Sequence, residues 1–192
     1  MEVLEAPVAT EEVVDELAPV SAEIEDIVED RSENNFDTRD LEEKTFKRAI
    51  SVEFRSQDED RILEFPFASE APVERYYGME VLNMDTKSMD LARLNDGAPL
   101  LYQHDADRIA GVVQKAYIKD KRAYARVKLA NNELGREMQE LIRDGIIRNV
   151  SFGYKIDAME ADESTTPVTY RATKYQPFEI SLVTIPADNS VG

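Results

Sequence analysis

Beyond residue 45 the chain alternates apolar and polar side chains, and that period of two predicts strands. Phe46, Ile50, Val52 and Phe54 fall on one side of the first such run, with Lys47, Ser51, Glu53 and Arg55 on the other. Strand patterns recur over 61–67, 109–118, 123–129, 150–156, 168–174 and 178–185. One segment has a helical period instead. Leu134, Met138, Leu141 and Ile142 share a face, Asn132 stands as N-cap and Gly145 as the stop, which predicts a helix over 133–144 with a first turn weakened by Gly135. A shorter helical turn is expected over 88–94, ended at Asn95-Asp96-Gly97, and the acidic stretch 157–167 reads as an exposed loop. Several strands without regular helix alternation predict a mainly β fold with a few helices (α+β), built as an antiparallel sheet or barrel.

The first 45 residues follow other physics. They hold sixteen Asp and Glu against Arg31, Arg39 and Lys44, so they carry −13 of the −17 formal charge and leave −4 for the rest. Short apolar stripes at Val13, Val14 and Leu17, and at Ile24, Ile27 and Val28, are separated by Pro19 and can bury little by themselves. Residues 1–45 are expected to be an acidic arm, disordered or partly helical, and 46–192 a single domain.

Composition narrows the chemistry. With no cysteine, disulfides, thiolate metal sites and cysteine nucleophiles are excluded; with one histidine, three-histidine zinc sites and paired-histidine metalloprotease motifs are too. A strongly acidic chain lacks the basic surface that phosphate backbones require, so nucleic acid is not an expected partner. The chain has no apolar run of membrane-spanning length and no positively charged, signal-like start, so no membrane is expected either. No cofactor or metal is expected.

Three segments could carry chemistry. Leu100-Leu101-Tyr102-Gln103-His104 brings the histidine to a strand end, where it is either an acid–base group or a hydrogen-bonded structural residue. In Asn149-Val150-Ser151-Phe152-Gly153-Tyr154, alternation puts Ser151 and Gly153 on one face, with the glycine leaving room for a substrate backbone or only for packing. In Phe178-Glu179-Ile180-Ser181-Leu182-Val183, Glu179 lies within an apolar run, and burying a carboxylate requires a partner. That partner is either an arginine or the Nδ1–H of His104.

Together, Leu91 to Asp105, Ile109 to Val113, Gly145 to Tyr154 and Phe178 to Ala187, with 47 residues from His104 to Ser151 and 28 from Ser151 to Glu179, resemble the tailed-phage prohead serine protease family. The resemblance spans about 46–192. It implies a β-barrel similar to that of the herpesvirus assembly proteases, with His104 as general base and Ser151 as nucleophile. The third member in those enzymes is a second histidine, which this chain lacks; Glu179 is preferred here, with Asp105 as the alternative. The implied activity is a capsid-maturation endopeptidase acting through an acyl-enzyme on scaffold or the scaffolding arm of the capsid protein, and on itself, inside the prohead in the host cytoplasm. The implied partners are the major capsid protein and scaffold, with possible self-association. The arm would then be a targeting segment or a propeptide, and the chain's end at Gly192 suggests a region detached from a longer precursor. A non-catalytic capsid assembly protein is the alternative function, and a metal-dependent hydrolase with a purely carboxylate site is a weaker one.

Overall fold

The computed structural model describes residues 37–41, 44–57 and 61–185. The helical stripes expected in the acidic arm and the segment 186–192 lie outside the described residues. The elements are strands β1 (Thr45–Ser51), β2 (Arg55–Gln57), β3 (Ile62–Ser69), β4 (Val73–Arg75), β5 (Gly78–Leu82), β6 (Pro99–Tyr102), β7 (Asp105–Lys119), β8 (Arg122–Leu129), β9 (Asn149–Asp162) and β10 (Thr169–Val183). Two helices, α1 (Ala92–Asn95) and α2 (Glu133–Arg143), interrupt them. The fold is mainly β with few helices, as the patterning predicts.

All the strands belong to one sheet with the order β1-β9-β10-β6-β7-β8-β3-β2, and β5 joins β10 with β4 beside it. Most pairs are antiparallel, but β10 runs parallel to both β6 and β5. The sheet curls, because strands far apart in the order meet across its interior. Phe67 of β3 packs edge-on against Phe152 of β9, ring centroids 5.3 Å apart. Arg48 of β1 crosses to donate to the carbonyls of Ser69, at the end of β3, and Ala71 just past it. Leu63, Phe65, Phe67, Val127, Leu100, Phe152 and Tyr154 fill the interior between them.

Arg48 corrects the amphipathic reading of the first strand. It shares a face with Phe46 and Ile50 and is 1% exposed, its guanidinium satisfied by carbonyls. Burial lowers its pKa from the ordinary arginine value. The helix starts as predicted, with the Asn132 side chain accepting from the Gly135 N–H at 2.7 Å. Gly135 weakens helix propensity yet is required, because a Cβ there would run into the Ala130 carbonyl. Two expectations change. The stretch 157–167 is not all loop, since β9 continues to Asp162 as a ribbon paired with the start of β10. The separate strands expected over 168–174 and 178–185 are one strand, broken in register at Lys174 and Phe178. Among the described residues, no helix is long and apolar enough to cross a membrane.

Candidate active site

His104 lies in the two-residue turn joining β6 to β7, where Tyr102 pairs with Asp105 and leaves Gln103 and His104 as the loop. Both have positive φ, +58° and +59°. Such turns ordinarily take Asn and Gly, and a non-glycine residue in this region costs about 1–3 kcal/mol, so the surroundings must hold it. They do. The Gln103 N–H donates to Leu182 O at 2.9 Å, Gln103 Nε2 to Thr184 Oγ1 at 2.5 Å, and the His104 N–H to Ser181 Oγ at 3.2 Å. The turn is tied at three points to β10 and the residue that follows it.

Ser151 and Glu179 come from neighbouring strands. In the β9–β10 pairing Ser151 stands opposite Ser181, and Gly153 opposite Glu179, with Phe178 as the extra residue of a bulge. A bulge re-aims the side chains that follow it. Here Glu179 and Ser181 point to the face that carries Ser151. The space above Gly153 is filled, not open to a substrate backbone: a Cβ there would sit 2.7 Å from both Glu179 Oε1 and Phe178 Cζ. Glycine is needed so that the carboxylate can lie across the strand.

The three side chains meet. His104 Nε2 is 2.9 Å from Ser151 Oγ, and His104 Nδ1 is 2.7 Å from Glu179 Oε1. An ionised carboxylate can only accept, so Nδ1 carries the proton, and Nε2 accepts from the Ser151 hydroxyl. Ser181 Oγ donates to Glu179 Oε2 at 2.7 Å, which occupies the second carboxylate oxygen. Ser151 is 1% exposed and Glu179 7%. Chemically, the arrangement can pass the Ser151 proton to the imidazole while the buried carboxylate stabilises the imidazolium that forms.

The other candidates lie elsewhere. Glu179 pairs with His104 and not with an arginine. Asp105 is exposed and accepts the Asp107 N–H at 2.9 Å, a local turn contact. Arg148 donates to Gly145 O at 2.6 Å. Among the described residues no group of three His, Asp or Glu could hold a metal ion. Sequence reasoning assigned no role to Ser181, although its alternation with Glu179 places both on one face. It also missed a second buried cluster, in which Glu80 Oε1 accepts from Tyr154 (2.5 Å) and Arg75 (3.2 Å), and Oε2 from Tyr77 (2.6 Å). Burial first, and then the Glu80 charge, push the Tyr77 and Tyr154 phenols well above their ordinary value.

The family model described as Caudovirus prohead serine protease matches residues 73–191, which takes in β4 to β10 and all four of His104, Ser151, Glu179 and Ser181. A major capsid protein of Halomonas phage phiHAP-1 (isolate -/Gulf of Mexico/-/2001) is 40% identical over 129 residues, covering 65% of this chain. The chain spans 21% of the length of that relative. No solved structure matches.

Proposed function

From a chain that belongs to the caudovirus prohead serine protease family, we propose a serine endopeptidase that cuts capsid-assembly proteins during prohead maturation, with Ser151 as nucleophile, His104 as general base and Glu179 as the group that orients and charges the base. The observation that carries the reading is the continuous chain of contacts from Ser151 Oγ through both imidazole nitrogens to Glu179, 2.9 Å and 2.7 Å long. His104 takes the hydroxyl proton as Ser151 attacks a peptide carbonyl, then returns it to the leaving amine; water admitted to the acyl-enzyme repeats the sequence and releases the new carboxyl terminus. Ser151 is nearly buried, so a peptide must displace neighbouring atoms to reach it, and acylation includes that opening.

The relative named as a major capsid protein favours capsid protein as the substrate, with scaffold and the chain itself as further ones. The protease domain is assigned to 46–192, and the acidic residues 1–45 to an arm that serves as targeting segment or propeptide. The same relative's name also supports a non-catalytic assembly role, in which the three side chains would be structural. Incubating capsid precursor with the wild-type chain, Ser151→Ala and His104→Ala separates the two. The expected outcome is processing by the wild type alone; equal processing by all three would sink the protease reading.

A further inference from the structure

We infer that Ser181 is a positioning residue of this site: its hydroxyl locks the Glu179 carboxylate and the His104 turn into one unit, and so sets the tautomer of the imidazole. This rests on the protease reading above. The contacts form a closed path. The His104 N–H donates to Ser181 Oγ (3.2 Å), Ser181 Oγ donates to Glu179 Oε2 (2.7 Å), and Glu179 Oε1 accepts from His104 Nδ1 (2.7 Å). The path leaves the main chain of His104 and returns to its own ring. A hydroxyl is suited to this place because it donates and accepts at once.

The loop constrains three freedoms together. The carboxylate cannot rotate without losing either Ser181 or the imidazole. The imidazole cannot flip without presenting a carbon or an acceptor to Glu179. The turn holding His104 in left-handed backbone geometry is fixed at its second residue by the same hydroxyl. Ser181 is 0% exposed, so no water takes over its bonds when it is removed. It stands opposite Ser151 in the β9–β10 pairing, which ties the spacing of base and nucleophile to one pair of strand positions. Ser181 acts through Glu179 and His104, with no part in bond making.

The chain has a single histidine, so the ring nitrogens of a histidine-labelled full-length protein report on His104 alone. Nitrogen NMR, recorded where the imidazole is neutral, should show the proton on Nδ1 and not on Nε2 in the wild type and in Ser151→Ala. In Ser181→Ala the tautomers should mix, and kcat on capsid precursor should fall about 10- to 100-fold with KM changed less than about twofold, as expected when a reacting group loses its alignment. Ser181→Cys, which fills the site with a slightly larger group that donates only weakly, should follow the alanine variant; it also carries the test if Ser181→Ala does not fold. Wild-type tautomer and kcat in the cysteine variant would overturn the proposal and leave Ser181 as packing. Full turnover by Ser151→Ala would instead overturn the protease reading, while the histidine spectra still decide the role of Ser181.

Discussion

Glu80 and Glu179 are the two buried carboxylates among the described residues, on strands that lie side by side, and both reach β9: Glu80 through Tyr154 and Glu179 through the site around Ser151. Each has its oxygens occupied by protein donors. The donors differ in kind. Glu80 is held by the Arg75 guanidinium and by two phenols, all of which keep their protons at neutral pH; Arg75 itself is held above the ordinary arginine value, burial opposing and its contacts with Tyr154 and Glu80 prevailing. Glu179 is held by a serine and a histidine, and the histidine has a second nitrogen facing another hydroxyl. Burial and pairing are therefore common to both clusters and mark neither as chemical. What distinguishes the Glu179 cluster is an imidazole, whose two nitrogens can donate a proton on one side and accept one on the other, and a nucleophile placed to give it one.

Conservative substitutions separate the two clusters most sharply. Glu179→Gln should lower kcat about 10⁴-fold, because the amide favours the wrong imidazole tautomer, while the melting temperature falls by only a few degrees. Glu80→Gln should do the reverse, costing about 3 kcal/mol and leaving the turnover of folded molecules unchanged. That is the low end for a broken buried pair, since Arg75 keeps 20% of its side chain exposed. Denaturant unfolding beside steady-state kinetics reads both, and a Glu179→Gln variant with full activity would erase the distinction.

Gly153→Ala should come next, with kcat lower by about 10²-fold, because the new Cβ would displace Glu179 Oε1 and the Phe178 ring from positions 2.7 Å away. Wild-type kinetics in that variant would show that the carboxylate's position is unimportant. The smallest effect concerns pH and the Glu80 cluster. Tyr77 and Tyr154 hold their protons more tightly in the folded chain than their ordinary value near 10. The unfolded chain thus releases protons first, and stability present below about pH 10 is lost as pH rises above it, by up to about 1.4 kcal/mol per pH unit for each tyrosine. Tyr77→Phe should flatten that alkaline slope by about one such increment; equal slopes would mean that Tyr77 is not coupled to folding.

The two clusters were unequally legible in the sequence, for physical reasons. His104, Ser151 and Glu179 qualify as candidates through local signals, namely scarcity, strand alternation and a charge inside an apolar run, and the ordered motifs shared with the protease family supply their roles. Glu80 and Arg75 sit in strands of five and three residues, too short for alternation to show, and the cluster they form is completed by Tyr154 far along the chain. Arg48 reads as polar and is buried because carbonyls at and just past the end of β3 receive it, a fact of sheet curl and not of local pattern. The bulges in β10 hid one long strand as two, since each inserts a residue and resets the alternation. Helix α2 was the easiest element to read, with cap, period and stop all within thirteen residues of one another.

The central claim is that Ser151 and His104 act as one unit, and a double-mutant cycle on capsid-precursor cleavage tests it most directly. Each single alanine variant should lose about 10⁴-fold or more in kcat, and the double variant should lose no more than the worse single one, because removing either partner already disables the other. Losses that multiply in the double variant, or a single variant that keeps wild-type turnover, would contradict the account.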